Sequence, residues 1–117
     1  MPRRTPDSFL PLTHLGFHVL LSLAEAPAHG YALVKRIRER SDGRIDPGTG
    51  SFYSIIAAFS DDGLIEEVPA LDAGDARRRC YGVTRLGREV LAAEARRLER
   101  LLADTRRATA ARAGGRR

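Results

Sequence analysis

The chain has 117 residues, 43% of them hydrophobic and 30% charged, with a net charge of +5. That length fits one domain or one domain with an appendage, and a basic balance makes a polyanion the first partner class. A single cysteine, Cys80, excludes an intramolecular disulfide, and a structural thiol is its expected role. Pro6, Asp7 and Pro11 break any signal-peptide pattern after Arg3 and Arg4, and the apolar run Phe17–Ala24 is too short to span a bilayer. A cytoplasmic protein with no membrane partner is expected.

The positive charge is unevenly placed. Residues 1–76 carry seven basic and eleven acidic groups, a net −4, whereas residues 77–117 carry thirteen basic and four acidic groups, a net +9. From Ile45 to Ala76 there is no basic residue and there are seven acids. A partner attracted by charge must therefore be held mainly from outside this window.

In chain order, residues 1–10 read as an N-terminal arm. Thr13 can cap a first helix that runs to about Ala26, where Pro27 forbids continuation. Leu15, Val19, Leu20 and Leu23 give it a broad apolar face. A second helix starts near His29–Gly30, with His29 as its cap, and stops at Ser41–Asp42–Gly43. Leu33, Val34 and Ile37 form its inner stripe, and Lys35, Arg36, Glu39 and Arg40 lie outward.

Pro47 with Thr49 or Ser51 supplies the start of a third helix, and Gly63 its stop. Phe52, Ile55, Ile56 and Phe59 make one core face, leaving Ser51, Tyr53, Ser54, Ala57 and Ala58 on the other. Two short strands follow, Leu64–Val68 and Arg78–Val83, joined by the polar loop Asp72–Ala76. The predicted fold is mainly α with a small β-hairpin: a winged helix-turn-helix over residues 11–84. Thr84 caps a last helix over 85–107, roughly 35 Å long at ~1.5 Å per residue. Its stripe of Leu86, Val90, Leu91, Leu98, Leu101 and Leu102 exceeds what so small a domain can cover, so a second copy of the chain is its expected partner. Residues 108–117 read as a basic flexible tail.

Four stretches carry a family likeness. PLTHLGFHVLLSLAEAPAHGYALVKRIRE resembles the opening of PadR-type transcriptional regulators, with their His-Gly-Tyr turn at His29–Gly30–Tyr31. GTGSFYSII resembles the Gly-Thr-Leu-Tyr start of their recognition helix, DGLIEE its exit into the wing, and RRRCYGVTRLGREVL the closing Arg-Arg-x-Tyr-Tyr-x-Leu-Thr-x-x-Gly-Arg. The likeness runs in order from Pro11 to Leu102. It implies a winged-helix repressor that dimerises through its C-terminal helix, binds a palindromic operator on double-stranded DNA, and releases it to a small-molecule effector. Three positions depart from the pattern: Ala57 and Ala58 stand where Lys-Arg is common, and Gly82 where Arg or Lys is frequent.

Phosphate contacts set affinity and base contacts set sequence preference, so a recognition helix without charge can still read DNA. Thr49, Ser51, Tyr53 and Ser54 are the expected readers, through hydroxyls and the amides of a helix N-terminus. Lys35, Arg36 and Arg40 from the second helix, with Arg77, Arg78 and Arg79 from the wing, are the expected holders of charge. Phe9, Phe17 and Tyr31 could line a pocket, but core or surface packing is their expected role. His14 and His18 lie one turn apart without a third ligand, so no metal is expected. No nucleophile–base pair, phosphate loop or paired-carboxylate pattern appears, so neither catalysis nor a cofactor is expected. The alternative reading, favoured by Ala57, Ala58 and Gly82, is a winged-helix dimer with a blunted recognition helix, acting as a ligand-sensing or protein-interaction module without DNA binding.

Overall fold

A computed structural model describes residues 4–69 and 79–115. Four helices, α1 (His14–Glu25), α2 (Gly30–Arg40), α3 (Thr49–Asp61) and α4 (Arg85–Gly115), surround three short strands, β1 (Ala28–His29), β2 (Ile65–Val68) and β3 (Cys80–Val83). This is the winged helix-turn-helix the sequence predicts, with one addition. The sheet is three-stranded and antiparallel in the order β1-β3-β2, because Ala28 and His29 pair with Tyr81 and Cys80. The wing hairpin is thereby fastened to the turn between α1 and α2.

The helix ends follow local chemistry. Thr13 Oγ1 accepts from the Gly16 amide at 3.0 Å, and His29 Nδ1 accepts from the Ala32 amide at 3.2 Å, so both expected caps are made. α2 stops as Asp42 and Gly43 enter the left-handed region, at φ 54° and 78°. α3 departs from expectation at its start. Its cap is Gly48, which has no side chain to offer, so neither Thr49 nor Ser51 precedes the helix as a capping residue.

The core is one cluster drawn from every element. Val19, Leu20 and Leu23 of α1 meet Leu33 and Ile37 of α2, Phe52 and Ile56 of α3, Leu64 and Ile65 at β2, and Val90 of α4. Cys80 is buried as a free thiol in β3. Burying such side chains at about 25 cal/mol per Å² is the main favourable term holding these helices to the sheet.

α4 joins the domain through a tight corner. Thr84 Oγ1 accepts from the Gly87 amide at 3.0 Å and donates to the Gly63 carbonyl at 2.6 Å, while the Thr84 amide donates to the Leu64 carbonyl at 3.0 Å. The expected cap thus also ties α4 to the end of α3. The helix then runs past Arg107 to Gly115, so residues 108–115 are helical where a flexible tail was expected. Ala108, Ala110, Ala111, Arg112 and Ala113 in this stretch are strong helix formers.

The N-terminal arm lies along α4. Phe9, Leu10 and Leu12 pack on the core, and the Leu12 amide donates to Glu94 Oε2 at 2.8 Å. Glu94 is only 2% exposed and also pairs with Arg97 at 2.5 Å. The Arg97 guanidinium holds the Glu94 carboxyl below the usual carboxylate range, against the opposing effect of burial.

Candidate nucleic-acid interface

α3 turns two unlike faces outward and inward. Phe52 and Ile56 are buried, with Ile55 and Phe59 packed beside them. Ser51, Tyr53, Ser54, Ala57 and Ala58 are all exposed, as the periodicity requires. That outer face bears three hydroxyls and no charge. Tyr53, 57% exposed, leans edge-on against Phe52 with ring centroids 5.3 Å apart. Its hydroxyl end reaches the start of α2, only 3.8 Å from where a Cβ on Gly30 would stand. The side chain of Thr49 lies outside what is described.

The cations around this face are unequally free. Lys35 is exposed, and no hydrogen bond or ion pair holds it among the described residues. Arg36 is not placed as expected. Its guanidinium donates to the carbonyls of Ser22 at 3.2 Å and Ala26 at 2.8 Å, with Pro27 at 3.5 Å. These carbonyls lie at the negative end of α1, where a planar, multi-donor cation is well placed; Ser22 O also accepts from the Ala26 amide at 3.4 Å. Arg40 is likewise paired, with Glu25. The Arg40 guanidinium pulls the Glu25 carboxyl below its ordinary range.

On the wing, Arg79 is exposed and lies 3.5 Å from Glu67, an exposed pair of little energetic weight. An incoming phosphate can compete for it. Arg77 and Arg78 lie outside the described residues. Gly82 requires a correction: it is buried, with Val68 Cγ1 3.1 Å from a would-be Cβ and Pro27 behind. Its lack of a side chain therefore removes nothing from the outer surface.

The acidic middle of the chain is partly spent within the fold. Asp46 pairs with Arg38 at 2.6 Å, Asp62 with Arg4 at 3.1 Å, and Glu67 with Arg79. Each partner lies outside the window from Ile45 to Ala76. No acid stands on the outer face of α3 between Ser51 and Ala58.

The expected α4 stripe divides in two. Val90 is fully buried in its own protomer, and Leu86 and Leu91 pack on the same core, so Val90 is unavailable to a partner. Leu98, Leu101 and Leu102 are 40%, 47% and 49% exposed on a helix whose described residues from Leu98 onward are all exposed. His14 and His18 stack at 5.6 Å, and no group of three or more candidate metal ligands occurs among the described residues. No described helix is long and apolar enough to cross a membrane.

Tyr31, expected to pack but weighed also as a pocket-lining residue, is 73% exposed in the first turn of α2 and lines the same cleft as Tyr53. Its place directly after the capping His29–Gly30 turn was the available signal.

Comparison with known proteins agrees with this geometry. Two solved structures share the fold: a PadR family transcription regulator from Clostridium difficile (TM-score 0.70, 18% identity, 81% of this chain and 97% of that one) and a PadR-like transcription factor from Bacteroides fragilis (0.67, 18%, 80% and 87%). An uncharacterized 37.1 kDa protein in transposon TN4556 of Streptomyces fradiae is 37% identical over 83 residues. Those residues are 71% of this chain, which spans only 22% of that relative's length. Residues 19–93 match the transcriptional regulator PadR-like family. The chain, with its winged helix, belongs to that family of regulators.

Proposed function

We propose that the protein is a homodimeric DNA-binding transcriptional regulator that sets α3 into the major groove of a palindromic operator. The observation that carries this reading is the outer face of α3. It is exposed and bears hydroxyls without acids, and Lys35 on α2 and Arg79 directly before β3 are exposed cations of the same domain. Ser51 and Ser54 read base edges, the two cations and the wing arginines Arg77 and Arg78 hold phosphates, and three of the window's acids, Asp46, Asp62 and Glu67, are offset by intramolecular pairs. Leu98, Leu101 and Leu102 dock on their symmetry mates along α4, setting two reading heads about 34–36 Å apart for successive major grooves. The regulator represses its own or a neighbouring operon and is released by a small-molecule effector.

Ala57 and Ala58, exposed on the same face, favour a second reading in which the fold persists as an interaction module without DNA binding. Fluorescence anisotropy separates the two. The protein is titrated into duplex from upstream of its own gene and into a scrambled duplex of equal length, at low and near-physiological salt. Preference for the native duplex at the higher salt supports the regulator. Equal, weak and salt-sensitive binding to both favours the blunted helix.

A further inference from the structure

The cleft between α2 and α3 offers an unusual combination. Tyr31 and Tyr53 stand on its rim, 73% and 57% exposed, and Val34, Pro47 and Phe52 line it with apolar surface. The one charged residue lining it, Arg38, is offset by Asp46 at 2.6 Å in an exposed pair. Tyr53's hydroxyl lies 3.8 Å from where a Cβ on Gly30, the residue directly before Tyr31, would stand, and both tyrosines line the one cleft. What the cleft presents is therefore two neutral hydroxyl donors over an apolar floor.

A phosphate–deoxyribose unit matches that combination: its oxygens accept from the hydroxyls, and its sugar carbons lie on aromatic and aliphatic surface. Lys35, one helical turn beyond Tyr31 and exposed, gives the rim the sign that suits an anionic strand. We infer that Tyr31 is a further nucleic-acid contact, and that its phenol and Tyr53's together clamp one backbone unit of the duplex beside the α3 reading face. The inference rests on the DNA-binding reading above.

It also has a signature of its own. A neutral hydroxyl releases no counterion, so losing it weakens binding to every sequence without changing the salt dependence. Losing a lysine contact to phosphate instead flattens the log–log salt slope by about 0.9.

The test is anisotropy across a salt series on wild type, Tyr31→Phe, Tyr31→Ala and Lys35→Ala, with the native and the scrambled duplex. Light scattering and a thermal melt are run on each variant. Tyr31→Phe is expected to weaken both duplexes about three- to tenfold with an unchanged slope, while Lys35→Ala flattens it. Tyr31 is too exposed for either substitution to unfold the domain. If wild type binds and both Tyr31 variants bind equally well, the inference alone falls. If Tyr31→Ala alters the particle mass but not DNA affinity, the cleft is a contact between copies of the chain and the inference is overturned. If wild type binds neither duplex, the DNA-binding reading fails and takes the clamp with it.

Discussion

Replacing Gly87 by alanine sets two local effects against each other. Gly87 lies in the first turn of α4, where helix propensity alone favours alanine by up to ~1 kcal/mol. The tertiary surroundings oppose it. A Cβ on Gly87 would stand 2.1 Å from the Leu64 carbonyl oxygen and 2.7 Å from Val83 Cγ2. Carbon–oxygen contacts normally begin near ~3.3 Å, so α4 must withdraw by about 1 Å. Leu64 O is also the acceptor for the Thr84 amide, and that bond would lengthen or break, at about 1 kcal/mol. Moving Val90 out of register with the core adds a further 1–3 kcal/mol of packing loss, roughly. The net is a destabilisation of about 2 kcal/mol, or roughly an 8 °C fall in melting temperature for a domain of this size. Gly50→Ala in α3 is the control, because nothing lies within 4 Å of its Cβ position. It should be neutral or stabilise by up to about 1 kcal/mol. Far-UV circular dichroism melts at one fixed protein concentration measure both, since any self-association would make the midpoint concentration-dependent. A Gly87→Ala protein melting at or above wild type would refute the reasoning.

Three further outcomes are expected. Arg36→Ala should lower stability by about 1–2 kcal/mol through loss of the α1 carbonyl cap, yet leave the salt slope of DNA binding unchanged; a flattened slope would restore Arg36 to the phosphate contacts. Burial, then His14 and Arg40, holds the His18 imidazole below its ordinary pKa, so the folded protein favours the neutral ring. The unfolded chain takes up that proton first, so stability should fall as pH drops through about 6.5 and level off below the folded value. Urea midpoints at pH 7.5 and 5.5 check this, and His18→Gln should shrink the difference; an unshrunk difference would assign it elsewhere. Leu101→Glu with Leu102→Glu, on side chains 47% and 49% exposed, should yield a folded monomer by light scattering, whereas a persistent dimer would place the interface off this stripe.

Much of the site was legible because it is built from short-range rules. The outer face of α3 follows from helical period alone, since Phe52 and Ile56 bury themselves and Tyr53, Ser54 and Ala57 must then face away. Lys35 was likewise readable as an outward cation. Arg36 was not. Its neighbours in sequence say only that it leaves the α2 core stripe, and the carbonyls that claim it belong to Ser22 and Ala26, at least ten residues away. For Tyr31 the sequence left packing and pocket lining open, with packing preferred. An aromatic beside a turn usually packs, and only the open cleft between α2 and α3 leaves it in solvent.

The sequence by itself determined the ends of α1 and α2, the stop of α3 and the start of α4. Thr13, His29 and Thr84 each satisfy an amide three residues on, and Gly43 and Gly63 take the left-handed backbone that stops a helix. Such interactions close over a few residues, so composition and spacing specify them. The tertiary structure alone decided the rest. β1 has two residues, too few to show any alternation, and exists only because β3 is there to pair with it. Val90 and Leu98 look alike along the α4 stripe, but one is buried by the domain and the other stands beyond its edge. Glu94 reads as a surface acid until the N-terminal arm folds over it and brings the Leu12 amide, 82 residues away, to its carboxylate. In each case the deciding partner is remote in sequence, and no local period or propensity encodes which remote groups a fold will bring together.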